Sequence, residues 1–232
     1  MSAKAKVENV NTGQKINDFL QKNRKILFIT LCLIVAGVVI FVAAFSIRDA
    51  LIASAFNKID EFELRYQNIS YAYSGALAQV SNRENDIAAL LEDMDDFAKK
   101  NSGYASARAY VMSARIYEEM FDWGNAEYAW TNAAVAAAKT YLAPVAYFNA
   151  AATAEEQGNF SRAIDLYNKV VEYGDEFYAA SRAQFAIGRI YEIQGDRNAA
   201  LAAYQNLVNR WTDDQIWVNL AHSRIIALSI GL

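Results

Sequence analysis

The chain repeats itself at an interval of 37 residues, and this repetition restricts its fold more than any single motif does. Residues 143–170 read APVAYFNAAATAEEQGNFSRAIDLYNKV, two amphipathic segments on either side of Gly158. Tyr147, Ala150, Ala151 and Ala154 recur at the i, i+3, i+4, i+7 spacing of one helix face. Glycine supplies a turn between the segments. One interval onward, Gly195 lies in YEIQGDRNAALAAYQNL, where Tyr191, Ala200, Tyr204 and Leu207 match Ala154, Ala163, Tyr167 and Val170. One interval back, Phe121 takes the turn position in YEEMFDWGNAEYAWTNA, with Tyr117, Ala126, Trp130 and Ala133 in register. A single helix pair cannot bury its apolar stripe alone, so the expected fold is a stack in which each pair covers the next.

The rest of the composition agrees with an all-α chain. Hydrophobic residues make up 54% of it, alanine and aromatics dominate that fraction, and proline occurs once. Cys32 has no second cysteine to pair with, which excludes an intramolecular disulfide and any multi-cysteine zinc site. No P-loop, dinucleotide fingerprint, GxSxG or HExxH is present, and with His222 the sole histidine a multi-histidine metal site is excluded. We expect no catalytic residues, no metal and no cofactor. His222 reads as a partly buried structural residue of a C-terminal helix. The acidic residues Glu92, Asp93, Asp95 and Asp96 read as the solvated face of a helix over 86–100.

Residues 26–47, ILFITLCLIVAGVVIFVAAFSI, carry no charge. At about 1.5 Å per residue they span a hydrocarbon core of roughly 30 Å. A cleavable signal peptide has a shorter apolar region and a small-x-small site, so an uncleaved transmembrane helix is the expectation. Six of the Lys and Arg residues precede it, among them the collar Lys15, Lys22, Arg24 and Lys25. The positive-inside rule then places the N-terminus in the cytoplasm and everything after the span outside the inner membrane, in a bacterium the periplasm. That outer part is acidic, which argues against a nucleic-acid partner.

Residues 1–14 lack an apolar period and are expected to be unstructured. The domain division is a basic cytoplasmic tail at 1–25, a transmembrane helix at 26–47, a helical stalk or N-terminal packing helices at 48–103, and a repeat domain with a C-terminal capping helix at 104–232. Leu51, Ile52, Ala55, Phe56, Ile59, Phe62 and Tyr66 continue a helical face past the span. Gly75 and Ser81-Asn82 are expected to end that helix.

The repeats resemble the tetratricopeptide repeat. Ala114, Ala151 and Gly188 stand at its small eighth position, Ala126, Ala163 and Ala200 at its small twentieth, and Trp130, Tyr167 and Tyr204 at its aromatic twenty-fourth. The chain departs from the pattern at the fourth position, where Tyr110, Tyr147 and Gln184 replace tryptophan, and Pro144 opens the second repeat rather than closing one. Three residues beyond the usual 34 lengthen the helices or the connections. The resemblance implies an α-solenoid of about three helix pairs with flanking helices, and a peptide-binding groove lined by the first helix of each pair. Carried over, the groove positions are Arg108, Val111 and Arg115, then Phe148, then Arg182, Phe185 and Arg189. On that reading, two arginine pairs flank an apolar floor, unless Arg115 pairs with Glu118 or Glu119 and Arg189 with Glu192. A basic tail that includes FLQKNRK at 19–25, one span and an external repeat domain together resemble the periplasmic ancillary subunit family of the SecYEG translocon. This implies a non-enzymatic module that binds polypeptides or chaperones beside the secretion translocon. The alternatives are a scaffold for cell-envelope assembly and a homo-oligomeric spacer.

Overall fold

The structure is a computed structural model. It describes residues 2–73 and 80–230, among which nine α-helices and no strand occur. These are α1 (Ser2–Ala72), α2 (Val80–Lys100), α3 (Gly103–Glu119), α4 (Trp123–Ala136), α5 (Leu142–Glu156), α6 (Phe160–Val171), α7 (Ala180–Ile193), α8 (Arg197–Arg210) and α9 (Gln215–Ile230). The chain divides into two compact units, Met1–Ser54 and Ala55–Leu232.

The first unit is helix α1 up to Ser54. Residues 1–14 were expected to be unstructured, but α1 already begins at Ser2. Alanine, lysine and glutamate are strong helix formers, and a helix nucleated further along extends into them at little cost. The helix is long and apolar enough to cross a membrane. Its apolar side chains point outward on all sides, with Phe28, Leu33, Ile40 and Phe41 each about two-thirds exposed or more. Near the start of the charge-free stretch 26–47, the Thr30 hydroxyl donates to the carbonyl of Ile26 at 2.9 Å and so needs no water. Just past the end of that stretch the guanidinium of Arg48 lies 4.7 Å from the Phe45 ring.

In the second unit, α3 with α4, α5 with α6 and α7 with α8 are the three expected pairs, and α9 packs on the last. Small residues make the pairs tight: Ala114, Ala126, Ala151, Ala163 and Ala200 are all fully buried. The extra residues lie in the connections between pairs, at 137–141 and 172–179, the latter holding a short 3-10 turn at Gly174–Glu176. Pro144 falls in the first turn of α5, where its missing N–H is not required. Gln184 is buried, and its amide donates to the carbonyl of Ala203 at 3.1 Å.

Each pair turns through a left-handed residue: Phe121 (φ 58°), Gly158 (φ 71°) and Gly195 (φ 76°). The next residue caps the second helix. Asp122, Asn159 and Asp196 accept from the backbone N–H of Asn125, Arg162 and Ala199. Thus Phe121 holds a conformation that glycine adopts freely. An alanine at Gly195 would meet nothing within 4 Å, so its cost is conformational alone. Gly195→Ala is expected to destabilise by ~1 kcal/mol, a fall of roughly 2–4 °C in the melting midpoint followed by circular dichroism.

Residues 55–72 of α1 pack within the second unit, burying Ile59 and Phe62 completely. Phe62 meets Phe97 edge-on at 5.6 Å and shares a cluster with Ile87, Leu90, Leu91, Met94 and Ile116. The helix-ending signal at Gly75 lies outside the described residues. The one at Ser81-Asn82 does not act as a break, because both residues belong to the first turn of α2, where short polar side chains are tolerated. On the acidic face of α2, Asp93 pairs with Arg65, Asp95 with Lys99 and Asp96 with Lys100 at the surface.

Candidate protein-binding groove

Groove geometry starts from the aromatic residues that fill the gap between layers. Trp130, Tyr167 and Tyr204, one interval apart, are nearly or fully buried. Each donates to a glutamate of its own pair's first helix: Trp130 Nε1 to Glu118 at 2.7 Å, Tyr167 Oη to Glu155 at 2.8 Å, Tyr204 Oη to Glu192 at 2.5 Å. The next layer then supplies a second donor to the same carboxylate. Thr153 reaches Glu118 at 3.3 Å, Arg189 grips both oxygens of Glu155 at 2.7 and 2.8 Å, and Arg224 pairs with Glu192. A ladder of carboxylates thereby ties each pair internally and to its successor.

This ladder replaces the alternative one-turn pairings of Arg189 with Glu192 and of Arg115 with Glu118. Arg189 bonds Glu155 of the preceding pair, not Glu192 one turn away, and Glu118 is committed to Trp130 and Thr153 rather than to Arg115. The one-turn neighbours lose because a carboxylate facing the layer boundary meets a donor from the next pair.

The seven expected groove residues divide between two clefts. Phe148, Arg182, Phe185 and Arg189 line one of about 590 Å³, together with Ala152, Glu156, Ile193 and Trp217. Phe148 sits edge-on to Tyr167 at 5.3 Å, while Phe185 lies 5.1 Å from Tyr204 and 5.3 Å from Trp217. Arg182 stacks on Phe148 at 4.8 Å. Arg108, Val111 and Arg115 line the other cleft, of about 430 Å³, with Tyr66, Tyr104, Glu119 and Tyr141. There, Tyr66 donates to Glu119, so residues 55–72 of α1 form one wall.

Trp217 was read only as part of a capping helix. Its counterparts one and two intervals earlier are the buried alanines Ala180 and Ala143, so the register points to a small residue there. Only the docking of α9 on α7 shows it as a groove wall. His222, expected to be partly buried, is exposed on α9.

Burial, reinforced by the neighbouring glutamates, pushes the phenols of Tyr167 and Tyr204 well above the usual tyrosine range. Burial and the bond to Glu119 push Tyr66 from 10.0 up to about 12. The hydrogen bond from Arg224 holds Glu192 below the usual carboxylate value. Raised phenol pKa values mean that the folded chain keeps these protons longer than the unfolded one. The stability they contribute is intact below pH 10 and is lost as pH rises toward and beyond 12. For Glu192 the sign reverses: its contribution is present above 4.5 and lost as pH falls. Phenolate absorbance during an alkaline titration is expected to show a late group, Tyr66, Tyr167 and Tyr204 among it, ionising together with loss of helix.

Tetratricopeptide repeat models match residues 145–173 and 181–210. These are the second and third pairs, which build the larger cleft. A "TPR repeat-containing protein" of Treponema pallidum (strain Nichols) is 30% identical over 228 residues, covering 94% of this chain and 94% of that protein.

Proposed function

Since this chain belongs to the tetratricopeptide repeat-containing proteins, we propose that it is a membrane-anchored module that holds polypeptide segments in the cleft walled by Phe148, Phe185 and Trp217. Proteins built from these repeats are generally interaction modules rather than enzymes. The observation that carries the reading is the aromatic wall. Two phenylalanines and a tryptophan face a common open cleft, Phe148 packed on Tyr167, Phe185 on Tyr204 and Trp217 on Phe185. Rigid aromatic surface of this kind provides contact area at small entropic cost.

The span at 26–47 supplies the anchor. A helix that is apolar on every side is unstable in water and stable in hydrocarbon. With the basic collar on the cytoplasmic side, the repeats lie outside the inner membrane, positioned to receive polypeptides leaving the secretion translocon or chaperones that attend them. The domain division follows: basic tail, span, packing helices, repeats.

The test is crosslinking in cells from photoreactive residues placed at Phe148 and at Phe185. Adducts with exported polypeptides, translocon subunits or envelope chaperones are expected at both. Their absence, with a photoreactive residue at exposed Tyr178 giving the same pattern, overturns the reading.

A further inference from the structure

The charges of the larger cleft specify what chemistry its occupant carries; this step rests on the groove reading above. Arg189 and Glu155 neutralise each other, one guanidinium nitrogen reaching both carboxylate oxygens, so their charges are satisfied within the protein. Two charged groups remain. Arg182, exposed and lying over the Phe148 ring, has no hydrogen-bond acceptor or carboxylate partner among the described residues, which leaves its N–H groups for a ligand. Glu156, also exposed, has no donor among the described residues.

These two groups stand at opposite ends of the cleft. Arg182 is in the first turn of α7. Glu156 is the last residue of α5, and its counterpart one interval on, Ile193, is the last residue of α7. Phe148, on which the Arg182 guanidinium lies, is eight residues before Glu156 on α5, a rise of about 12 Å. Between Arg182 and Glu156 the wall is Phe148, Phe185 and Trp217. The sign order is helped by the backbone, since the start of α7 is its positive end and the end of α5 its negative one.

We propose that the cleft binds an extended peptide segment that carries a carboxylate at one end, a large apolar side chain in the middle and a cation at the other. In extended chain a separation of about 12 Å is about four residues. Alternate side chains face one way, so both charged side chains and the apolar one midway between them face the cleft.

Blocked pentapeptides with phenylalanine third test this by fluorescence anisotropy on the detergent-solubilised full chain. One has glutamate first and lysine fifth, a second has lysine at both places, and a third has glutamate at both. The mixed peptide is expected to bind about tenfold more tightly than either other. Arg182→Glu makes both ends of the cleft anionic and moves the preference to the double-lysine peptide. Glu156→Lys moves it to the double-glutamate peptide. This pattern holds whichever way the peptide runs. Both substitutions are at exposed positions, and an unchanged helical signal confirms folding. Equal affinity for the three peptides, with binding still lost in Phe185→Ala, overturns the charge assignment and leaves the groove standing. Binding that is absent, or indifferent to Phe185→Ala, overturns both.

Discussion

Replacing Glu155 with alanine is expected to destabilise the repeat unit by about 2–3 kcal/mol, lowering the melting midpoint by roughly 5–10 °C. The side chain of Glu155 is 12% exposed and accepts from two groups, the Tyr167 hydroxyl and the Arg189 guanidinium, at the boundary between the second and third pairs. Its loss leaves the hydroxyl of Tyr167, a residue 2% exposed, without an acceptor, and an orphaned buried donor costs about 1–3 kcal/mol. Arg189 adds less, because its side chain is 48% exposed and water replaces the carboxylate. Glu155→Gln keeps an acceptor for Tyr167 and loses only the ion pair, so it should cost less than about 1 kcal/mol. Combining Glu155→Ala with Tyr167→Phe removes both partners and should recover much of the loss. Denaturant midpoints of the wild type, two single variants and the double variant check this. If Glu155→Gln costs as much as Glu155→Ala, the ion pair and not the phenol dominates, and the account is wrong. Glu155→Ala also frees the charge of Arg189 in the cleft, and should reduce discrimination against acidic peptides.

Gly188→Ala has the next largest expected effect, a loss of about 2 kcal/mol. In an unconstrained helix this change stabilises by roughly 0.5–1 kcal/mol. Here an added Cβ would sit 2.5 Å from Cε1 of Tyr204 and 2.8 Å from two further ring atoms. The ring cannot retreat: it is fully buried, lies against Phe185 at 5.1 Å, and is held at its hydroxyl by Glu192 at 2.5 Å. Forcing a methyl into such packing costs about 1–3 kcal/mol. Pairing Gly188→Ala with Tyr204→Leu gives the methyl room and should be milder than the sum of the two changes. A thermal midpoint for Gly188→Ala at or above that of the wild type would show that the layers are looser than the geometry states.

The residues that were legible and those that were not differ in a physical way. Ala114, Ala151, Ala126, Ala163 and Ala200 were readable because their role is local and repeats with the interval: a small side chain wherever two helices of a pair meet. Gly158 and Gly195 were readable because a left-handed turn has a residue preference of its own. Phe121 in the same conformation, and the caps at Asp122, Asn159 and Asp196, follow from that register. Of the seven residues expected to line one groove, Phe148, Phe185, Arg182 and Arg189 share a cleft, and Arg108, Val111 and Arg115 lie in another.

What the chain alone determined, then, was the helical class, the number of pairs, the charge-free span and the faces that had to be covered, because each depends on side-chain period and size within one segment. The tertiary structure decided which charges are spent. Whether Arg189 meets Glu155 or Glu192, whether Arg182 is left stacked on Phe148, and whether Trp217 walls the cleft depend on how one layer is rotated against the next. Residues 55–72 likewise could read as stalk or packing helix until Ile59 and Phe62 were seen buried. Rotation between layers is set by the summed packing of many side chains, and no spacing within a single helix encodes it.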